Sequence, residues 1–207
     1  MKQQDQPQEL LTNSESQPQL RQQILAKATS LFVVYGFNGV SMREIAAEAG
    51  LSKAGLYYHF KDKRDLFLAI LNQYLDQMQK IIDECSRSES SAYNRLHYLA
   101  KRIFSNPPEQ RAIIRLGTHE MMSLDQKTRS AFDLAYHQKF IAKIEGIFKE
   151  GIETGEIKPL KVHLVTWTFL GMLYPFFILN RSLSQIEIDE IISTTFKVFF
   201  EGIRTTA

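Results

Sequence analysis

The chain has 207 residues, of which 44% are hydrophobic and 23% charged, and its formal net charge is only +2. This composition is ordinary for a globular protein with a buried core, and the small net charge favours no class of partner. A single cysteine, Cys85, excludes an internal disulfide bond and fits a reducing compartment. No uninterrupted run of about 18 apolar residues is present, so the sequence predicts a cytoplasmic protein without a membrane span.

The first residues are polar, rich in glutamine and without the apolar core of a signal peptide. Residues 1–17 are expected to form a disordered leader. A segment this polar buries too little apolar surface to offset the entropy that is lost when a chain becomes ordered.

After the leader, apolar residues recur almost everywhere at the 3.6-residue period of a helix, and strand alternation is absent. Glycines, prolines and capping side chains mark the ends of the helices. The predicted helices cover residues 18–35, 42–49, 52–60, 63–82, 92–105, 109–122, 126–153, 161–180 and 185–203. The fold class is therefore all-α. An N-terminal domain is expected over 18–78 and a larger second domain over 79–207, with the boundary in or just after the fourth helix.

Residues 41–60 have the spacing of a helix-turn-helix, in which one helix supports a second helix that enters the major groove of DNA. Ser41 and Glu44 form a capping box at the start of the first helix. Ala46 is small where the two helices cross, and Gly50 supplies the left-handed backbone conformation at the turn. This spacing predicts a DNA-binding motif.

One face of the helix over 52–60 is not needed for packing, and it carries Lys53, Gly55, Tyr57, Tyr58 and His59. A lysine there can donate to guanine or to phosphate, and the tyrosine hydroxyls and the imidazole suit phosphate oxygens. A glycine allows the backbone to approach DNA closely. An ordinary pair of packed helices, which is the alternative, would rarely carry this set on an uncommitted face.

Charge and helix ends agree with this interpretation. Residues 20–65 carry seven Lys/Arg against four Asp/Glu, a net charge of +3 in a chain whose total is only +2. The helix N-termini at Ser41, Ser52 and Lys63 are natural positions for the flanking phosphates.

The four motifs A-x-x-L-F from Ala28, Y-G-F-x-G-V-S-M-R-E-I-A from Tyr35, A-G-L-S-K from Ala49 and G-L-Y-Y-H-F-K-D-K-R-D-L from Gly55 occur between Arg21 and Leu71. This stretch resembles the TetR family of bacterial repressors. The resemblance implies about nine helices, three for DNA and the rest for ligand binding and dimerisation. It also implies that the DNA-facing positions are Ser41, Met42, Arg43, Ser52, Lys53, Ala54, Gly55, Tyr57, Tyr58, His59 and Lys63.

The helices over 161–180 and 185–203 are apolar on more than one face. A helix that is hydrophobic nearly all round must be covered on both sides, and in so small a domain the second cover is expected to be another subunit. Full burial within one chain is the alternative. The residues expected in the dimer interface are Leu164, Phe169, Ile192, Phe196 and Phe199, and the resemblance favours a four-helix interface.

Large apolar and aromatic side chains in the second domain, with isolated polar groups among them, suit a site for an apolar or aromatic small molecule. The residues expected to bind this effector are Phe104, His119, Met122, Phe132, Tyr136, Trp167, Tyr174 and Phe177. Each of these side chains, taken singly, is more often a core residue than a cavity residue. The fourth helix is expected to transmit the effect of the ligand to the DNA-binding domain.

Signatures of catalysis are missing from the sequence, which has no G-x-S-x-G motif, no glycine-rich phosphate loop and no paired catalytic carboxylates. His119-Glu120, Cys85 and His137 do not have the spacing of a metal site. The sequence therefore predicts neither an enzyme nor a cofactor nor a metal site.

These observations predict a homodimeric regulator that binds double-stranded operator DNA and responds to a small-molecule effector, most simply as a repressor. A dimer whose recognition helices lie about 34–36 Å apart requires a near-palindromic operator. An activator, or a regulator switched by a protein partner, stays open. A helical scaffold without DNA binding is the alternative from another class.

Overall fold

The computed structural model describes residues 9–88, 91–121, 124–177 and 183–203, apart from the side chains of residues 9–16, 87, 88, 108, 109 and 119. Its helices are α1 (Glu9–Tyr35), α2 (Met42–Glu48), α3 (Lys53–His59), α4 (Lys63–Ser88), α5 (Ala92–Phe104), α6 (Pro108–Glu120), α7 (Gln126–Tyr136), α8 (Ala142–Glu153), α9 (Val162–Phe177) and α10 (Gln185–Ile203). A π-helical turn, His137–Ile141, joins α7 to α8. With α7, the turn and α8 counted as one helix, the described residues form nine helices, which confirms the all-α class.

The chain divides into two compact units, Met1–Ile70 and Leu71–Ala207. The division falls between residues 70 and 71, inside α4, the helix in or just after which the sequence predicts the boundary, with domains over 18–78 and 79–207. An unbroken amphipathic helix carries no local signal for the point at which its packing partners change.

The first unit contains α1, α2, α3 and the start of α4, around a small core. Three phenylalanine rings lie at its centre: Phe37 is 5.5 Å from Phe32 and 5.1 Å from Phe67, measured between ring centroids. Ile45 of α2 and Leu56 of α3 are fully buried. Burial of such a side chain contributes about 1.5–3 kcal/mol, so these few residues hold the short helices in place.

Helix α1 begins at Glu9, so residues 9–17 are helical where the sequence predicted part of a disordered leader; residues 1–8 lie outside the described residues. Pro18 lies inside this helix. Glutamate, glutamine and leucine favour helix, and extending a helix that has already formed is far easier than starting one. A low apolar content does not prevent a segment from being helical.

The second unit contains an aromatic core between α5, α8, α9 and α10. Phe169 of α9 lies 5.5 Å from Phe196 and 5.3 Å from Phe199 of α10, and Phe148 of α8 lies 5.8 Å from Phe169. Most of these ring pairs are tilted or edge-to-face, which is the arrangement that aromatic quadrupoles prefer. None of the described helices is both long enough and apolar enough to cross a membrane.

Candidate functional site: a recognition helix and an aromatic cavity

The start of α2 is held by a capping box. The Ser41 amide donates to Glu44 Oε2 at 2.7 Å, and the Glu44 amide donates to Ser41 Oγ at 3.3 Å. The Ser41 hydroxyl also donates to Glu44 Oε2 at 2.7 Å. The hydrogen bonds that the carboxylate accepts from the Ser41 hydroxyl and, next, from the Ser41 amide stabilise its charged form and so hold the pKa of Glu44 below its usual value. The sequence predicted this cap correctly because all its atoms come from four consecutive residues.

A tight turn joins α2 to α3. Gly50 has a φ of +69°, a conformation that costs a residue with a side chain about 1–2 kcal/mol. The next amide, that of Leu51, donates to the Ala46 carbonyl at 2.8 Å. Ser52 Oγ then accepts from the Gly55 amide at 3.0 Å and caps α3. The direction of α3 is therefore set by local hydrogen bonds on both sides of one glycine.

Helix α3 buries a single side chain, that of Leu56, and leaves one face open. Tyr58 is 76% exposed and Tyr57 is 43% exposed, values that are unusual for large aromatic residues. Lys53 Nζ lies 5.7 Å from the centre of the Tyr57 ring, and the Tyr58 and His59 rings meet edge-to-face at 5.2 Å. The open face therefore presents a cation and two aromatic hydroxyls together.

Most of the positions predicted to face DNA lie on the surface of this motif. The exposed ones are Ser41, Arg43, Ser52, Lys53, Ala54, Tyr57 and Tyr58, and the half-buried ones are Gly55 and His59. A Cβ added to Gly55 would meet Ser52 Oγ at 3.4 Å, an ordinary contact. The fold itself therefore does not require a glycine at this position.

Two of the predicted DNA-facing residues point elsewhere. Met42 is only 7% exposed, since it shares the inward face of α2 with Ile45 and Ala46, three and four residues later. The Lys63 ammonium donates to the carbonyls of Phe37 and Val40 at 2.7 and 2.8 Å. Met42 therefore lies in the core of the first unit, and Lys63 binds the loop that follows α1.

A residue that sequence analysis missed, Arg21 of α1, contacts the C-terminal end of α3. Its Nη1 donates to the His59 carbonyl at 3.0 Å, and its guanidinium lies 4.2 Å from the centre of the Phe60 ring. A cation near the C-terminus of a helix stabilises the unpaired carbonyls there. The contact joins residues 38 positions apart, so no short motif reveals it.

The second unit contains a cavity of about 510 Å³, within the range typical of small-molecule sites. A smaller cavity of about 100 Å³ shares part of its wall. Four of the predicted effector residues, Phe132, Tyr136, Trp167 and Tyr174, line the larger cavity, and Phe177 lines the smaller one.

The remaining effector predictions fare differently. Phe104 is wrong as a wall residue of these cavities: it is fully buried and stacks on Phe177 at 4.3 Å, behind the cavity wall. Met122 and the side chain of His119 lie outside the described residues. The wall formed by α4 was missed, namely Leu71, Tyr74, Leu75 and Met78. The apolar spacing of α4 was visible in the sequence, but it does not distinguish a cavity wall from a core.

The π-helical turn affects the shape of the smaller cavity. Tyr136 immediately precedes the turn, Phe140 lies within it, and both residues line that cavity. In an α-helix, residues four positions apart drift by about 40° per step, since one turn takes 3.6 residues. A π-turn takes up an extra residue and offsets part of this drift. It keeps the ladder Phe132, Tyr136, Phe140 near one side, and the stacked rings are 6.4 and 5.6 Å apart.

The predicted dimer residues are mostly internal. Phe169, Ile192, Phe196 and Phe199 are at most 5% exposed and belong to the core of their own chain, which leaves their side chains almost no surface to offer a partner. Only Leu164, 55% exposed, lies on the surface. Both helices have two apolar faces, and periodicity alone does not tell which face turns inward. The exposed large hydrophobic residues on α9 and α10 are Leu164, Trp167, Tyr174, Ile186 and Val198, of which Trp167 and Tyr174 line the larger cavity.

In the described part of the chain, no group of histidine, cysteine, aspartate and glutamate side chains comes together in a way that could hold a metal ion.

Residues 24–70 match the model of the bacterial regulatory proteins of the tetR family. Over 145 residues the chain is 34% identical to the HTH-type transcriptional regulator QacR of Staphylococcus aureus, an alignment that covers 66% of this chain and 73% of that protein. The chain belongs to the TetR family. It is therefore a ligand-responsive, DNA-binding transcription regulator, as the sequence predicted.

Solved structures show the same all-α fold over most of the chain. FadR from Bacillus subtilis, in complex with stearoyl-CoA, superposes with a TM-score of 0.77 at 20% identity, covering 88% of this chain and 99% of that one. AibR, in complex with isovaleryl coenzyme A and operator DNA, superposes with a TM-score of 0.73 at 24% identity, covering 87% and 98%.

Proposed function

We propose that the protein is a homodimeric repressor that binds near-palindromic operator DNA through α3 and is released when a mainly apolar effector fills the cavity in the second unit. The observation that carries the proposal is the open face of α3, where Lys53, Tyr57 and Tyr58 are exposed although the helix buries only Leu56. A protein with this function acts on DNA in the cytoplasm.

The chemistry of α3 favours contact with DNA. Lysine binds guanine O6 and N7 or a phosphate, and tyrosine hydroxyls bind phosphate oxygens. The exposed Arg43 of α2 adds a second cation to the same motif. AibR, which has the same fold, forms a complex with its operator DNA.

The outer faces of α9 and α10 support a dimer. Ile186 is 72% exposed and Val198 is 61% exposed on α10, and Leu164 is 55% exposed on α9. Covering such residues with a second copy removes apolar surface from water. Two copies of α3 then read two half-sites, which accounts for a near-palindromic operator.

The cavity supports a mainly apolar effector because most of its wall is aromatic or aliphatic. FadR and AibR, of the same fold, form complexes with coenzyme A thioesters, molecules that combine an acyl chain with a large polar part. Helix α4 supplies Leu71, Tyr74 and Leu75 to the wall and begins at Lys63, in the first unit. A ligand that contacts α4 therefore acts on a helix whose first turns belong to the DNA-binding unit.

The DNA-binding step is tested with operator fragments that co-purify with the protein and are then sequenced. Lys53→Ala and Tyr58→Ala are each expected to weaken operator binding by about 1–3 kcal/mol, measured by fluorescence anisotropy. Matched controls are Lys80→Ala and Tyr35→Ala, both exposed residues outside the helix-turn-helix. If all four variants bind as the parent does, with unchanged circular dichroism, α3 is not the recognition helix.

The dimer is tested by sedimentation of Leu164→Glu and Val198→Glu, which are expected to give monomers. Leu134→Glu is the control, because Leu134 is equally exposed, at 59%, on α7. A parent protein that sediments as a monomer at micromolar concentration would contradict the proposal directly.

The switch is tested by linkage. If an effector releases the DNA, operator DNA must weaken effector binding by the same factor, typically about 5–150-fold. Trp167 is the single tryptophan of the chain and lines the larger cavity, so its fluorescence reports binding. A ligand that binds equally well with and without operator is not the effector. Transcription from the operator, with and without the protein, distinguishes a repressor from an activator.

A further inference from the structure

The two cavities meet at a cluster of tyrosines. The residues that line both are three tyrosines and three aliphatic residues: Tyr74, Tyr136, Tyr174, Leu75, Ile114 and Leu170. The polar side-chain atoms shared by the two walls are therefore phenol hydroxyls. The junction can form hydrogen bonds, and it offers a ligand no charge.

The tyrosine hydroxyls of this cluster differ in whether they have hydrogen-bond partners. Tyr174 donates to Thr118 Oγ1 at 3.3 Å, and Thr118 in turn donates to the Ile114 carbonyl at 2.6 Å. Tyr74 is 92% buried, and its hydroxyl has no hydrogen-bond partner within the residues that the structure describes. A buried hydroxyl without a partner is rare in a folded protein, because leaving it unpaired is unfavourable. Tyr74 therefore marks a place where a partner is missing.

Tyr136 accompanies Tyr74 in the walls of both cavities and is half-buried, so its hydroxyl is the more accessible of the two. Burial and the nearby Tyr174 raise the pKa of Tyr136 to about 12, and burial together with Tyr136 also raises the pKa of Tyr74. Both phenols therefore stay neutral at physiological pH and keep their hydrogens available for donation.

The smaller cavity has no charged residue among the described residues that line it. The larger cavity has one cation and one anion in its wall, Arg129 and Asp133, and neither lines the smaller cavity. A charged group at the junction would therefore be desolvated without an opposite charge from the shared wall. Apolar side chains continue from the tyrosines into both cavities, with Met78 and Phe140 in the wall of the smaller one and Phe132 and Trp167 in the wall of the larger one.

We propose that the effector is an uncharged molecule with a hydrogen-bond-accepting oxygen between two apolar parts, and that the Tyr136 and Tyr74 hydroxyls bind this oxygen. The inference rests on the proposed function, because it takes this cavity as the effector site. It specifies the ligand class: a ketone, ester or ether oxygen in the middle of an apolar molecule, with no charge beside the phenols.

Three probes with three atoms between two phenyl rings test the inference: dibenzyl ketone, 1,3-diphenylpropane and dibenzylammonium. Their affinities for the full chain are measured through Trp167 fluorescence, corrected for absorption by the probe, and checked by calorimetry. A neutral hydrogen bond contributes about 1 kcal/mol, so the ketone is expected to bind about fivefold more tightly than the hydrocarbon. The ammonium is expected to bind more weakly than the ketone.

Variants assign the preference to the phenols. Tyr136→Phe and Tyr74→Phe keep the ring and remove the hydroxyl, so each is expected to reduce ketone binding and leave hydrocarbon binding unchanged. Phe140→Leu is the matched control: it changes the wall of the smaller cavity without removing a hydroxyl, and it should affect both probes to the same degree.

The outcomes separate this inference from the proposed function. Equal binding of ketone and hydrocarbon, tighter binding of the ammonium, or a ketone preference that survives in both tyrosine variants overturns the inference and leaves an apolar cavity standing. If none of the three probes binds, the apolar-effector function and the inference fall together. A ketone preference that either tyrosine variant abolishes supports the inference.

Discussion

The aromatic residues on α3 of the first unit and those in the core of the second unit differ in exposure. In the first unit, Tyr57 and Tyr58 are exposed on a seven-residue helix that buries only Leu56. In the second unit, Phe169, Phe196 and their neighbours are enclosed between four helices. An exposed ring with a hydroxyl is available to a partner, whereas an enclosed ring stabilises its own chain. An aromatic side chain therefore points to function on α3 and to stability in the core of the second unit, and exposure distinguishes the two.

The largest effect is expected in the aromatic core of the second unit. Phe196→Ala removes a ring that packs against Tyr93, His97, Phe169 and Phe200. The substitution should lower the free energy of unfolding by about 3–5 kcal/mol, measured by urea denaturation. Leu134→Ala, at a residue that is 59% exposed, is the control and should change it by less than about 0.5 kcal/mol. Similar losses for both variants would contradict the assignment of the core.

Two glycines give the next comparison. A Cβ at Gly151 would lie 2.8 Å from Ala92 Cβ, an atom fixed to the backbone of α5. Gly151→Ala is therefore expected to destabilise the protein by about 1–3 kcal/mol. Gly55→Ala meets no such contact and should stabilise α3 by up to about 1 kcal/mol, while weakening operator binding. Thermal unfolding and anisotropy measure the two effects, and unchanged DNA affinity in Gly55→Ala would show that no backbone approach occurs there.

Substitutions at two lysines of the first unit are expected to have different effects, one on DNA binding and one on stability. Lys53→Met should reduce the dependence of operator affinity on salt by about one ion and leave stability unchanged, because Lys53 is exposed. Lys63→Met removes the donor to two carbonyls, so stability should fall by about 1–3 kcal/mol with the salt dependence unchanged. Affinities at several salt concentrations, with unfolding curves for both variants, decide the point. A reduced salt dependence in Lys63→Met would return this residue to the DNA-facing set.

The smallest expected effect concerns the capping box. Since the pKa of Glu44 is lowered in the folded chain, its contribution to stability is complete above the unfolded pKa and is lost as the pH falls through the folded pKa. The source of the shift is Ser41, through its hydroxyl first and its amide second. Glu44→Gln should therefore remove a small part of the acid sensitivity between about pH 5 and pH 3. The free energy of unfolding is measured for the variant and the parent at several pH values. A difference between the two proteins that stays constant over this pH range would contradict the assignment.

Sequence by itself determined the parts of this protein that consist of neighbouring residues. The cap at Ser41, the turn at Gly50 and the cap at Ser52 depend on hydrogen bonds that span three to five residues, so their side chains and spacing suffice to place the helix-turn-helix. The boundaries of the later helices follow from the same kind of signal. The exposed face of α3 was predicted for this reason, before any long-range contact was known.

Tertiary structure decided which side chains are buried, which bind their own chain and which line a cavity. Hydrophobic periodicity identifies the apolar faces of a helix, but it does not show what packs against each face. Phe196 and Phe199 share α10 with Val198, yet the phenylalanines are enclosed and Val198 is 61% exposed. Arg21 and Lys63 look like DNA-binding cations, and only packing shows that they bind carbonyls of their own chain. The tyrosine junction likewise exists only because α4, α7 and α9 meet around the cavities: its members are up to 100 residues apart, so no local pattern records it.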